Sequence, residues 1–140
     1  MAIIYDSIGI IGIYKYFCSL YSLPTEISNL EKLTSINLHD NGLTMLPDEF
    51  AKLVNLRRFD VSNNQLRYLT PGYVIFLLRS FAVKFLYVLY ISVCMWELLE
   101  ELNISNNFLE DVPLSLACLP NLQSIAAKNN PFRTYPSTTS

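Results

Sequence analysis

The residues able to do proton-transfer, nucleophilic or metal chemistry are few in this chain, and their spacing suits none of those reactions. Histidine occurs once, at His39. A single histidine excludes any two-histidine metal motif and leaves acid–base work to one ring. His39 follows an apolar triplet, Leu33, Ile36 and Leu38, at a polar position where a solvated surface side chain is expected. The carboxylate pairs Glu100-Glu101 and Glu110-Asp111 are adjacent in sequence. Neighbours in extended chain point to opposite sides, so neither pair converges on one reacting atom. The serines have no histidine in any repeating relation to them, and the four glycines form no phosphate-cradling loop. No catalytic residue, cofactor site or metal site is expected, and the chain reads as a non-enzyme.

Asparagine is the polar residue whose spacing carries information. Four copies of one pattern run along the chain, an apolar strand core followed by asparagine: Leu33, Ile36, Leu38, Asn41, Leu43; then Leu56, Phe59, Val61, Asn64, Leu66; then Leu99, Leu102, Ile104, Asn107, Leu109; then Leu122, Ile125, Ala127, Asn130, Phe132. The first two copies start 23 residues apart, as do the last two, a period in the solenoid range. Within each copy the alternation is that of a short strand with one buried face. Asn41, Asn64, Asn107 and Asn130 fall where the chain must turn inward, and a side-chain amide there, with donors and an acceptor, can satisfy neighbouring backbone groups. Stacked coils would align the four into an asparagine ladder.

The elements that position these strands lie between them. Leu23-Pro24, Leu46-Pro47 and Leu69-Thr70-Pro71 recur at the same period, each Leu followed four positions later by Ile27, Phe50 or Tyr73 and then three later by Leu30, Leu53 or Phe76. A spacing of four then three marks one helical face. Proline suits the entry to such a turn and is excluded from a central strand. Short helices or tight helical turns are therefore expected on the convex side.

Residues 23 to 69, LPTEISNLEKLTSINLHDNGLTMLPDEFAKLVNLRRFDVSNNQLRYL, resemble the 23-residue leucine-rich repeats of intracellular scaffold proteins. They are closest in style to the Ras-binding scaffold type and the plant Ras-group-related proteins. Residues 99 to 132, LEELNISNNFLEDVPLSLACLPNLQSIAAKNNPF, resemble closing repeats of the same group. The resemblance implies an α/β leucine-rich repeat solenoid, with parallel strands on a concave face and helical turns on a convex face. It also implies a scaffolding role in small-GTPase or related signalling. The family shares a scaffold while its binding surface varies, so the motif specifies the fold more than the partner.

Two regions depart from the pattern. Counting back one period from the first copy places Ile10, Ile13, Cys18 and Leu20 on the template, but Lys15 falls where a buried apolar residue belongs. Residues 8 to 22 read as a degenerate first coil or makeshift cap. The second departure is the interval from Leu56 to Leu99, 43 residues and three short of two periods. Tyr73 to Trp96 fills it with an apolar run charged only at Arg79 and Lys84. An insertion ranks first, because removing 20 residues restores the period. A worn repeat with Leu78, Phe81 and Val83 as strand core ranks second, with Leu86 in the place of the asparagine. A transmembrane span ranks third, since Arg and Lys each cost roughly 2.5 to 3.5 kcal/mol at mid-membrane. The expected organisation is a first repeat or cap over 1–22, repeats over 23–72, an insertion or degenerate repeat over 73–97, repeats over 98–133 and a flexible tail over 134–140.

A net charge of −2 supplies no basic patch for nucleic acid. Cys18, Cys94 and Cys118 are odd in number, sit among apolar neighbours and lack the paired cluster that closes secreted leucine-rich arrays, which points inside the cell. No cleavable signal is expected, because Asp6 and no basic residue precedes the apolar patch at Ile8 to Ile13. The triplet Asn103-Ile104-Ser105 matches a glycosylation acceptor but falls in a strand of the array, so it reads as a chance match.

A binding surface remains. The non-core strand positions would line a concave face able to hold an extended partner surface. Asn37, His39, Arg57, Arg58, Asp60, Glu101 and Asn103 are the candidates, with the two arginines as the anchors because guanidinium groups make bidentate contacts. The expected function is a non-catalytic cytoplasmic module that binds another protein. Two alternatives are a membrane-anchored protein using 73–96, and a fragment of a longer repeat protein without independent function.

Overall fold

The computed structural model describes residues 3–5, 10–13, 20–69, 96–110, 116 and 119–133. Its strands are β1 (Ile3–Tyr5), β2 (Ile10–Ile13), β3 (Ser35–Asn37), β4 (Arg58–Asp60), β5 (Glu101–Asn103) and β6 (Ser124–Ala126). Single-turn 3-10 helices η1 (Thr25–Asn29) and η2 (Asp48–Lys52) follow the two Leu-Pro steps. The strands form one sheet in the order β1-β2-β3-β4-β5-β6. It is parallel from β2 onward, with β1 antiparallel to β2 at one edge.

Pro24 and Pro47 enter the helical turns with φ of −69° and −65°, the angle that the pyrrolidine ring pre-sets. Each turn closes by short-range bonds: the Leu30 N–H donates to the Ile27 carbonyl at 3.1 Å, and the Leu53 N–H to Phe50 at 3.2 Å. This tight pattern aims Ile27 and Phe50 at the core, where both are buried. The third expected turn, at Tyr73 and Phe76, lies outside the described residues.

Ile36, Phe59 and Leu102 pair in succession across β3, β4 and β5, and all three are at most 2% exposed. Leu33, Leu38 and Leu43 with their counterparts Leu56, Val61, Leu66, Leu99, Ile104 and Leu109 complete the buried stack. At β6 the ladder ends among the described residues. Ile125, in register with Leu102, is 47% exposed because no further strand covers it.

The long interval between the second and third copies is crossed in a single step of the sheet. Phe59 on β4 is the direct partner of Leu102 on β5. A worn repeat contributing Leu78, Phe81 and Val83 as a strand would have stood between them, and that place is closed by the direct pairing. The rest of that apolar run, and with it the membrane-span reading of 73–96, lies outside the described residues apart from Trp96. Among the described residues, no helix is long and apolar enough to cross a membrane.

The array resumes at Trp96, inside the segment expected to be foreign to it. Trp96 stands three residues before Leu99, as Leu53 does before Leu56, and its carbonyl accepts from Leu99 N–H at 2.9 Å. The indole is buried against Phe50 and Phe59, with ring centroids 6.0 and 5.8 Å away, and those two rings are 5.0 Å apart. Its Nε1 has no hydrogen-bond partner among the described residues. Edge-on rings of this kind add about 0.5–1.5 kcal/mol per pair beyond the area they bury.

The first coil is shifted from the 23-residue count. That count places Ile13 opposite Ile36, whereas the structure pairs Ile11 with Ile36 and Gly12 with Asn37. The same register runs on to align Ile13 with Leu38, which is fully buried. The unshifted count would align Lys15 there, and a lone ammonium is not stable at a position without water. A shift of two keeps the strand's inward and outward faces unchanged. Cys18, expected in the asparagine position, lies outside the described residues.

Candidate functional site

The exposed face of the sheet is set by two outward rows. Ser35, Arg58, Glu101 and Ser124 form the first, and Asn37, Asp60, Asn103 and Ala126 the second, each row in register across β3 to β6. All the nominated concave residues fall on or beside these rows, so parallel stacking brings together side chains up to 66 residues apart in sequence, from Asn37 to Asn103.

The two arginines do not stand free. Arg57 pairs with Glu100 at 2.6 Å and Arg58 with Glu101 at 3.5 Å. Both contacts join β4 to β5, the strands separated by the long interval. Exposed pairs of this type contribute about 0.2–1 kcal/mol, so they can be broken by a competing carboxylate at small cost. Adjacent Glu100 and Glu101, which give no catalytic pair, are thus each committed to a separate guanidinium.

The second row is occupied in shaping the turn after each strand. The Asn37 Oδ1 accepts from the His39 N–H at 3.0 Å, with the His39 Nδ1 2.6 Å from the same oxygen. The Asp60 Oδ1 accepts from Ser62 N–H at 2.9 Å and from its hydroxyl at 2.6 Å. The Asn103 Oδ1 accepts from Ser105 N–H at 3.2 Å, while its amide donates to Asp60 Oδ2 at 3.3 Å. These side chains mimic a backbone turn two residues on, which is why each strand stops after three residues. His39 lies exposed at the rim, 3.6 Å from the Asp40 carboxylate.

The asparagine ladder is present in all four copies. Asn64 Nδ2 donates to the carbonyls of Leu38, Val61 and Ser62 at 2.9–3.0 Å, and its Oδ1 accepts from Leu43 N–H at 3.0 Å. Asn107 repeats this with Val61, Ile104, Ser105 and Leu66, and Asn130 with Ile104, Ala127, Lys128 and Leu109. Asn41 makes the weaker version, donating to Leu38 and His39 and accepting from Leu20 N–H at 3.4 Å.

A second ladder, not anticipated from the repeat pattern, runs beside it. Asp40, Asn63, Asn106 and Asn129 all hold positive φ, between 53° and 57°, a region that Asn and Asp tolerate better than other side-chain-bearing residues. Asn63 donates to Asp40 at 2.7 Å, Asn106 to Asn63 at 2.6 Å and Asn129 to Asn106 at 2.7 Å. The donors all face the first copy, where the row ends on the Asp40 carboxylate. The signal for it lies in the doublets Asp40-Asn41, Asn63-Asn64, Asn106-Asn107 and Asn129-Asn130. Asn55 and Asn121 add a third repeated contact, each donating at 2.7 Å to the carbonyl of Glu31 or Glu97 in the preceding coil.

Parallel three-residue strands, asparagine-lined turns and short convex helices define a leucine-rich repeat solenoid. The chain belongs to the leucine-rich repeat family: residues 18–72 and 98–119 match its family models, described as leucine rich repeat. It is 33% identical over 122 residues to a probable inactive serine/threonine-protein kinase, roco10, of Dictyostelium discoideum, covering 79% of this chain and 4% of that protein. It is 28% identical over 111 residues to MAP kinase phosphatase with leucine-rich repeats protein 1 of the same organism, covering 77% and 11%. A leucine-rich repeat protein of Leptospira interrogans of known structure matches with a TM-score of 0.39 and 24% identity, over 84% of this chain and 37% of that one. The chain spans 4% and 11% of the length of the two Dictyostelium proteins.

Proposed function

We propose that this chain is a non-catalytic protein-interaction module, a scaffold or adaptor in intracellular signalling, that works in the cytoplasm and binds its partner through the concave face. The observation that carries the reading is the exposed row Ser35, Arg58, Glu101 and Ser124, held in register on neighbouring strands. Leucine-rich repeat domains generally mediate protein–protein interaction, and regularly spaced arrays of this type suit extended partner surfaces. The named relatives, a kinase described as inactive and a MAP kinase phosphatase, support a setting in signalling. Small-GTPase pathways are suggested by the resemblance of residues 23 to 69 alone.

Arg58 and Glu101 are proposed as the exchangeable contacts, because their pairing distance of 3.5 Å leaves both side chains exposed. Asn37, Asp60 and Asn103 act as spacers that hold the row in shape, with His39 and Arg57 at its margins. Replacing Arg58 and Glu101 together by alanine should weaken binding of a partner captured by the full chain about tenfold, a loss of about 1.4 kcal/mol, without moving the melting temperature. Unchanged capture would exclude the concave face.

Residues 73–97 are proposed as an insertion, the residues before them as an N-terminal coil or cap over 1–22 with repeats over 23–72, and 98–133 with its tail 134–140 as the closing part. Deleting Tyr73 to Ser92 restores the period and joins Gly72 to Val93, so that Leu69 precedes Leu99 by the interval that separates Leu46 from Leu56. Shortening the connection should add about 1 kcal/mol by loop entropy and raise soluble yield. Loss of the cooperative transition in this deletion would show the segment to be an integral coil.

A further inference from the structure

We infer that Asn41-Gly42 is a spontaneous modification site, a deamidation step held in check by the Leu20–Tyr21 backbone and, once taken, releasing it. Asn41 is the only asparagine in the sequence followed by glycine; the other ladder residues precede Gln65, Phe108 and Pro131. Without a Cβ on Gly42, its nitrogen is the least hindered nucleophile that any asparagine of this chain has beside it. The reaction needs water alone. The Gly42 nitrogen attacks Asn41 Cγ, the Cγ–Nδ2 bond breaks and ammonia leaves with the amide proton. Water then opens the cyclic imide at either carbonyl, leaving an aspartate or its β-linked isomer.

The fold restrains both reacting groups. Gly42 N–H donates to the Leu20 carbonyl at 2.9 Å, and the leaving Nδ2 is tied to the carbonyls of Leu38 and His39 at 3.0 and 3.1 Å. The Tyr21 ring closes over Gly42 so tightly that a Cβ there would lie 3.1 Å from it. The counterparts of Gly42 carry side chains, so the ring accounts for the glycine at this position.

This restraint is the weakest of its kind in the array. The Leu20 N–H reaches Asn41 Oδ1 at 3.4 Å, against 3.0–3.1 Å for the same contact at Asn64, Asn107 and Asn130. The Thr44 N–H reaches the Tyr21 carbonyl at 3.4 Å, whereas Arg133 reaches Glu110 in the equivalent contact at 2.8 Å. Local opening concentrates where backbone bonds are long and exposed, and Tyr21 is itself 68% exposed. Reaction makes the opening one-way. The new carboxylate has no proton to offer the Leu38 and His39 carbonyls, and the β-linked product adds a backbone atom beside Asp40, whose φ is 55°.

The test ages the full chain in mildly alkaline buffer and maps the amide-to-acid mass change and isoaspartate by peptide. Asn41 should be the dominant site, reacting at least about tenfold faster in urea than in the native state, with Tyr21→Ala accelerating the native rate several-fold. Equal rates in urea and native buffer, or another asparagine reacting faster, would overturn the inference. Should Tyr21→Ala fail to fold, Asn41→Asp replaces it in hydrogen exchange. Lost protection at the Gly42 and Thr44 amides, with Gln65 and Phe108 unchanged, supports the release. Unchanged protection throughout overturns it.

Discussion

Asn64→Ala should lower stability by about 3–4 kcal/mol in denaturant unfolding of the full chain, among the largest losses available to a single polar side chain here. Its amide reaches three carbonyls and its oxygen one N–H, all within 3.0 Å and away from water. Removing it orphans the Leu43 N–H, at about 1–3 kcal/mol for a buried donor, and strips one bond from each carbonyl. Those carbonyls keep a second partner: Leu38 keeps Asn41, Val61 keeps Asn107 and Ser62 keeps the Asp40 N–H. The loss is therefore smaller than four fully broken bonds. Asn41→Ala should cost about 1 kcal/mol, since Asn41 is half-buried and its bond from Leu20 is long. Equal losses at the two positions would contradict this ranking.

Phe59→Ala should cost about 3–5 kcal/mol, in the range for emptying a buried aromatic site. Its particular effect is on coupling between the two parts of the chain. Phe59 is the ring that touches both Phe50, before the long interval, and Trp96, after it. In a linear array, cooperativity passes only through neighbouring coils, so a cavity at this seam loosens 96–133 from 20–69. Trp96 is the only tryptophan, and its emission should report exposure at lower denaturant than the loss of backbone circular dichroism. Coincident transitions at wild-type stability would show that the seam is held elsewhere.

The parts of the fold legible in the sequence are those written by local periodicity. Ile36, Phe59, Leu102 and Ile125 align from their spacing alone, because side chains alternate across a strand and the copies repeat at fixed intervals. The ladder asparagines are legible for the same reason. The second ladder is equally periodic but escapes recognition, since Asp40, Asn63, Asn106 and Asn129 look like ordinary polar residues until their backbone is seen to be left-handed. Trp96 reads as part of the apolar run because composition there is uniform and only packing distinguishes its end.

Within the candidate site, residue type alone points to Arg57 and Arg58 as anchors. It does not show that Glu100 and Glu101 stand beside them, because that proximity depends on which strand follows β4 in the sheet. Likewise Asn37, Asp60 and Asn103 are polar and outward by pattern, while their turn-forming bonds depend on backbone direction two residues later.

By itself, the sequence determined the repeat, its inward and outward residues, the proline-led helical turns and the family. Each follows from interactions within one coil, where spacing along the chain is spacing in space. Only the tertiary structure decided that β4 meets β5 across 43 residues, that the first coil shifts by two, and that the exposed charges are paired. Those outcomes depend on contacts between coils, and a contact between coils is chosen by competition for burial that no local pattern records.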